Sequence, residues 1–221
     1  EEFREYKGTR RETPEELVSQ IEESKALCKA FGAKTFEAAG YEADDVIATI
    51  VERFKKDEEV RIVILSGDHD ALQLVEGDEI IVWMPQSGGR YLVYDEEAVR
   101  ERFGVPPERI PDYKGLVGDV SDNIPGVRGV GPKAAAQILR EFGSVEEFYE
   151  LGPKPSTPLM RKLIEGRESA LLSKRLATMR RDVPLDLPVW RDCAIRDLRD
   201  PLVTEYLGAK GFVSLVHRVE G

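Results

Sequence analysis

Carboxylates dominate the chemistry available to this sequence. Three acidic clusters stand out: Glu42-Ala43-Asp44-Asp45, Asp68-His69-Asp70 and Asp119-Val120-Ser121-Asp122. Each has an ordinary structural reading. Acids in the first turn of a helix oppose its dipole favourably, by about 0.3–1 kcal/mol each, and Glu42–Asp45 opens an amphipathic stretch. Asp68 and Asp70 suit an N-cap and a solvated turn, and Asp119 to Asp122 a polar turn before the next helix. Taken together the clusters suggest more. Asp68-His69-Asp70 directly follows an apolar strand and a Ser66-Gly67 turn, and ligands of open α/β sheets bind beyond the carboxyl ends of strands. Asp119 and Asp122 are three residues apart, so one helical turn would set both carboxylates on the same side.

Gathered carboxylates repel one another unless cations lie between them. A hard-oxygen donor set without a His or Cys pattern favours Mg2+ or Mn2+ over zinc. Two such ions about 4 Å apart are a recurrent device for phosphodiester hydrolysis. The candidate ligands are Glu42, Asp44, Asp45, Asp68, Asp70, Asp119 and Asp122. His69, between two of them, reads as a solvated turn residue rather than a base, because water bound to a metal needs no histidine. His217 has no assigned role.

A second feature is the run Gly126-Val-Arg128-Gly129-Val-Gly131-Pro132-Lys133. It fails as a phosphate-binding Walker loop, because Pro132 precedes Lys133 and Ala134 follows it. It matches a dinucleotide fingerprint loosely, but no strand comes before it. A helix–hairpin–helix fits better, with Pro132 opening a helix that carries Ala134, Ala135, Ile138 and Leu139. Exposed N–H groups at such a helix start, beside Arg128 and Lys133, suit a nucleic-acid phosphate and fix position without reading sequence. The plain alternative is a helical turn within a core.

These features need elements to carry them. Thr13-Pro14-Glu15-Glu16 predicts a helix start with Thr13 as N-cap, and Leu17, Ile21, Leu27 and Phe31 predict its packed face, ending at Gly32. A short strand over 34–37 is weakly indicated. The spacing of Val46, Ile47, Ile50, Val51 and Phe54 predicts a helix over 42–54. Val60–Leu65 reads as a strand covered on both faces, and Ile80–Met84 as a second strand. Beyond residue 96 the pattern turns helical, with Gly/Pro-rich turns and no convincing strand. A last helix is expected over 201–207, broken by Gly208 and Gly211. The fold expected is α/β with a partly parallel sheet, joined to a helical lobe.

The chain has 221 residues and a formal charge of −10. Setting aside the seven candidate ligands leaves −3 (−10 + 7), so the site itself explains much of the acidity. Basic residues concentrate where the hairpin lies: residues 124–140 hold Arg128, Lys133 and Arg140 and no acid. No apolar run approaches the roughly 18–20 residues of a membrane span. Cys28 and Cys193 form no metal or disulfide framework and read as buried, reduced thiols of a cytoplasmic protein. The opening residues 1–12 read as a mobile, basic-leaning segment. With only two strong strands for a parallel sheet, the domain is expected to be incomplete at its N-terminus.

With these residues assembled, the chain resembles the 5′-nuclease superfamily. It looks most like the 5′→3′ exonuclease domain of bacterial DNA polymerase I and the phage flap endonucleases. Arg4-Glu-Tyr6-Lys7-Gly-Thr-Arg10, Gly40-Tyr-Glu42-Ala-Asp44-Asp45, Ser66-Gly-Asp68-His-Asp70 and the long run from Gly118 to Lys133 carry the resemblance, and Gly211-Phe212-Val-Ser-Leu215 adds to it. The resemblance implies a PIN-like core over 1–108 with a basic arch segment, a helix–hairpin–helix DNA-binding lobe over 109–181, and a C-terminal segment over 182–221 returning to the core. It implies Mg2+-dependent cleavage of 5′ ends and 5′ flaps of DNA, including RNA primers, in replication and repair, fused to or working with a DNA polymerase. The seven carboxylates would hold two ions. Lys7 and Arg10 would act as catalytic cations on the threaded 5′ strand, with Tyr6 as a stacking ring and Arg4 assisting. Gly126, Arg128, Gly129, Gly131 and Lys133 would hold the uncleaved duplex, with K+ on the hairpin carbonyls in some members. The family opens with an apolar strand ending in a metal-binding Asp and has another Asp before its arch, and this chain has a counterpart of neither. That leaves two readings, a fragment of a longer nuclease or a weakened or inactive relative that binds DNA structure.

Overall fold

The computed structural model describes residues 5–8 and 13–220. Among them, two compact units form: one of 5–8 with 42–183, the other of 13–41 with 184–220. The expectation of a mobile, basic-leaning 1–12 falls largely on residues outside that description.

The first unit is built on a three-stranded sheet in the order β1 (Ile62–Leu65), β2 (Ile80–Gln86), β3 (Arg90–Tyr94). β1 and β2 run parallel, with Ile62 opposite Ile80 and Leu65 opposite Trp83. β2 and β3 run antiparallel, with Trp83 opposite Val93. The partly parallel sheet is therefore as expected, but β3 was not anticipated. Its signal is the Gly88-Gly89 turn before the alternating Tyr91-Leu-Val-Tyr94, since paired left-handed residues reverse a hairpin; φ is +77° and +72° there. The expectation that β1 is covered on both faces also fails. Ile64 is buried, whereas Val63 and Leu65 are 46% and 61% exposed. A continuous apolar run identifies a strand but does not say which faces are covered.

Helix α2 (Ala43–Phe54) packs against the 3-10 helix His69–Leu74 and shares the core that contains Ile64 and Val82. Val46, Ala48 and Val51 are buried, in agreement with the predicted periodicity. α3 (Glu96–Phe103) is capped by the Asp95 side chain and ends at left-handed Gly104. The helical part follows as α4 (Ile110–Val117), α5 (Pro132–Phe142), α6 (Val145–Glu150), α7 (Pro158–Glu165) and α8 (Arg167–Ala177). One core runs through both parts, from Ala48, Ile64 and Val82 to Leu116, Ile138, Phe148 and Leu163. At about 25 cal/mol per Å2 of apolar surface removed from water, this shared core is the main force holding the carboxylate-bearing elements to the helical ones. Buried Asp112 adds a polar tie, accepting from Val145 N–H at 2.8 Å and pairing with Lys174 at 2.7 Å.

The second unit contains α1 (Glu15–Ala30), α9 (Pro201–Ala209) and α10 (Val213–Glu220). α1 begins one residue later than a Thr13 cap would set it, with Pro14 at the cap position and no side-chain cap. Leu17 and Ile21, predicted on a packed face, are 48% and 46% exposed. Residues 33–38 carry no regular structure, so the weak strand over 34–37 is absent. The last predicted helix extends through Gly208 to Ala209, and α10 follows the left-handed Gly211. A single glycine costs only about 1 kcal/mol in a helix, which Gly208 shows. Both cysteines are free thiols and half-buried rather than buried. Among the described residues no helix is long and apolar enough to cross a membrane.

Candidate functional site

Each acidic cluster sits at a terminus of an element, Glu42–Asp45 at the start of α2, Asp68–Asp70 after β1 and Asp119–Asp122 after α4. Asp68 follows β1 and caps the 3-10 helix His69–Leu74, its Oδ1 accepting from Asp70 N–H at 2.9 Å. That helix is fastened by buried Gln73, whose side chain accepts from Met179 N–H and donates to Ala177 O, both at 3.0 Å. Asp70 is thereby fixed, 8% exposed, against Lys114 of α4. The Lys114 ammonium also bonds Asp119 Oδ2 at 2.5 Å. Asp119 lies in the turn after α4, where its Oδ1 accepts from Ser121 N–H at 2.8 Å and from the Ser121 hydroxyl at 2.5 Å. Burial works against the charge on Asp119, but Lys114 and Ser121 outweigh it and hold its carboxyl down to about 2.

A second grouping surrounds Lys7. The backbone of Lys7 is left-handed (φ +55°), and its N–H donates to Asp122 O at 2.9 Å. Asn123 answers by donating its side-chain amide to Glu5 O at 2.7 Å. The Lys7 ammonium is thereby set between Glu42, with which it pairs closely, and Asp122 Oδ2 at 3.8 Å. Tyr6 hydroxyl donates to Glu42 Oε2 at 3.3 Å. Burial opposes the Lys7 charge, yet hydrogen bonds with Glu42 and Tyr6 raise its pKa above the ordinary value. Asp44 shares this neighbourhood. Its pKa is raised first by burial and then by the negative charge of Asp68, with Lys7 pulling the other way and Glu42 and Asp122 adding to the rise.

Carboxylates from all three clusters therefore lie within one unit, organised around two lysines. Asp119 and Asp122 do not share one side of a helical turn. The 119–124 segment is a turn closed by Asp119–Ile124 backbone pairing, and its two acids diverge to Lys114 and Lys7. Asp45 has a different environment, its oxygens accepting from Arg180 N–H at 2.8 Å and Glu42 N–H at 3.4 Å. His69 contacts Arg102 at 3.1 Å, and burial followed by the charges of Arg102 and Lys114 lowers its pKa. Among the described residues no three His, Cys, Asp or Glu side chains are gathered closely enough for one ion to reach them all. The donor set nevertheless fits hard divalent cations. It is all carboxylate, and each half is already arranged around a positive charge. Lys114 was not anticipated, though a lysine in a helix that also carries Ile110, Leu116 and Val117 is a sequence signal for a buried, paired charge.

The hairpin lies beyond this site. Val127 and Val130 are buried beneath it, while Arg128, Gly129, Gly131 and Lys133 are exposed. α5 starts at Pro132, as predicted, with Ala135, Ile138 and Leu139 buried. Two serines of α8 clamp the hairpin backbone. Gly126 N–H donates to the Ser173 hydroxyl at 2.9 Å, and the Ser169 hydroxyl donates to Gly126 O at 2.6 Å. Nothing in the sequence singled out these serines. Arg4 and Arg10 lie outside the described residues.

The chain thus combines a mixed α/β unit, with carboxylates at the ends of its elements, and a helical part that presents a glycine hairpin. Residues 1–104 match the family model for the 5′-3′ exonuclease N-terminal resolvase-like domain, and residues 105–200 that for the 5′-3′ exonuclease C-terminal SAM fold. The chain belongs to the 5′-3′ exonuclease family, and the resemblance and fold class read from the sequence are borne out. It is 38% identical to DNA polymerase I of Caldicellulosiruptor bescii, over 99% of this chain and 26% of the relative, and 40% identical to DNA polymerase I of Bacillus caldotenax, over 100% and 25%. The chain spans about a quarter of the length of these curated relatives. Among solved structures it is similar to the bacteriophage T5 D15 flap endonuclease in complex with DNA and metal ions, at 25% identity and a TM-score of 0.67 over 96% of this chain and 77% of that one.

Proposed function

We propose that this chain hydrolyses DNA phosphodiesters as a structure-specific 5′→3′ exonuclease and flap endonuclease, using two divalent cations, Mg2+ or Mn2+. Glu42, Asp44, Asp45, Asp68, Asp70, Asp119 and Asp122 would hold the ions. Asp45, engaged by two backbone N–H groups, also holds the start of α2 in register with the others. One observation carries the reading: carboxylates from three separate segments face two lysines in the unit that also presents the hairpin, within a 5′-3′ exonuclease family chain. When bound, the cations would activate water and stabilise the leaving oxygen.

The protein's own groups have distinct tasks. Lys7, kept charged by Glu42 and Tyr6, offers an ammonium to the scissile phosphate beside the carboxylates. Tyr6 offers a ring on which the terminal base stacks, a contact worth about 1–3 kcal/mol per base in single-strand binders. Arg4 and Arg10 add cations to the same strand. The hairpin grips the uncleaved duplex through Arg128 and Lys133 and through backbone groups at exposed Gly129 and Gly131, while buried Gly126, clamped by Ser169 and Ser173, shapes the turn, with K+ able to bind the hairpin carbonyls. These contacts position the duplex without reading its sequence. The substrates proposed are 5′ ends and flaps, RNA primer strands included, in cytoplasmic replication and repair. The DNA polymerase I relatives support a polymerase as the fused or cooperating partner.

The variant Asp68→Asn with Asp70→Asn tests the assignment. It should lose flap cleavage while retaining DNA binding. Cleavage retained in that variant would overturn the site.

A further inference from the structure

The ammonium of Lys162 sits against the hairpin backbone. A Cβ placed on Gly129 would lie 2.6 Å from Lys162 Nζ. Gly129 is left-handed, at φ +80°, so a side chain there would both strain the backbone and push the lysine away. Lys162 lies on α7, outside the hairpin in sequence, yet with Glu165, Gly166 and Ser169 it forms the far wall of an open cleft of about 530 Å3 whose near wall is Pro125–Gly129. Lys7, Lys114 and Lys174 are each tied to carboxylates. Among the described residues no carboxylate pairs with Lys162, although Glu165 lies in the same cleft. Its side chain is exposed and its charge uncommitted.

We infer that Lys162 is a phosphate-binding residue of the hairpin, adding from α7 a third cation to the hairpin's own Arg128 and Lys133. This rests on reading the hairpin as the duplex-binding element. A phosphate seated at exposed Gly129 would meet the backbone from the α5 side and the Lys162 ammonium from the other. Flanked by Arg128 and Lys133, the site would hold the DNA backbone by charge, without base contacts. The absence of a Cβ at Gly129 serves both partners, since it admits the phosphate and leaves the lysine in place.

The test is fluorescence anisotropy of a labelled 5′-flap duplex bound to the full chain in EDTA, so that no cleavage occurs, across a salt series. One phosphate contact contributes about 0.9 to the slope of log K against log salt on duplex DNA. Lys162→Gln should reduce the slope by about that amount, and Lys162→Arg should restore it. Lys133→Gln, within the hairpin, should give a similar loss. Because Lys162 is exposed, its variants should keep the wild-type melting curve. An unchanged slope in Lys162→Gln with a reduced slope in Lys133→Gln would overturn the role of Lys162 alone. Unchanged slopes in both would overturn the duplex-binding reading of the hairpin as well.

Discussion

The backbones of Gly118 and Gly126 touch. A Cβ on Gly126 would lie 2.3 Å from the Gly118 nitrogen, and one on Gly118 would lie 2.6 Å from Ile124 O. Both residues are left-handed, with φ of +59° and +82° respectively. The contact closes the turn that carries Asp119 and Asp122 and delivers the chain directly into the hairpin. The acids proposed to hold metal and the loop proposed to bind duplex are therefore parts of one folded piece. Gly126→Ala would meet backbone rather than a yielding side chain, in a conformation L residues avoid. The expected cost is about 3 kcal/mol of unfolding free energy, read from a urea titration. A loss below about 0.5 kcal/mol, as at an unremarkable surface site, would show that the contact relaxes freely.

Lys114 acts as an internal counter-charge. Lys114→Met leaves Asp70 and Asp119 facing each other without a cation, and breaking a buried pair from one side costs about 3–5 kcal/mol. A divalent ion bound at the proposed site would supply the missing charge. The variant should therefore lose more melting temperature in EDTA than in Mg2+, and the stabilisation by Mg2+ should exceed that of the wild type. Equal losses under both conditions would detach Lys114 from the cation site.

Asp44, a proposed cation ligand, sits where its own charge is disfavoured. Burial first, and then the nearby charge of Asp68 with smaller contributions from Glu42 and Asp122, disfavours its charge, while Lys7 partly offsets them. Asp44→Asn should raise the melting temperature of the metal-free protein at neutral pH and abolish cleavage. Even outer-shell partners of metal sites are worth about 10–100-fold in affinity or activity, so replacing a ligand should cost more. A lowered melting temperature in EDTA would contradict the repulsion.

Tyr149 gives a pH signature in the helical part. Burial pushes its phenol up to about 12, while its hydroxyl donates to Leu163 O at 2.7 Å. The folded state keeps this proton where the unfolded chain, titrating near 10, has lost it. Tyr149 therefore contributes stability that is full below about pH 10 and falls away as pH rises toward about 12. In an ultraviolet titration it should ionise late, and Tyr149→Phe should remove one late phenol and cost about 1 kcal/mol at neutral pH. Burial pushes the Tyr6 phenol up to about 12 as well, so a late-ionising count that does not fall by one in the variant would assign the shift elsewhere.

The sequence was most informative where a local rule acts alone. The periodicity of α2, the proline start of α5 and the apolar runs of β1 and β2 all appear at the expected places. The three acidic clusters were visible because carboxylates are costly to gather. What escaped was set by partners distant in the chain. Gln73 is fixed by backbone groups at 177 and 179, and Ser173 by the N–H of Gly126. Asp119 and Asp122 look like neighbours on a helical turn, but Lys114 and Lys7 draw them apart. β3 was missed because five residues are too few to display a period without weighing the Gly-Gly turn. The open face of β1 is not encoded in β1 at all, since covering depends on what packs against it.

The most direct test is cleavage of a 5′-flap DNA, labelled on the flap strand, with Mg2+ and with EDTA, alongside a gel-shift assay. Products at the flap junction that appear with Mg2+ and vanish in EDTA are the predicted result. Junction binding with no Mg2+-dependent product would contradict the nuclease assignment and leave a DNA-structure-binding protein in its place.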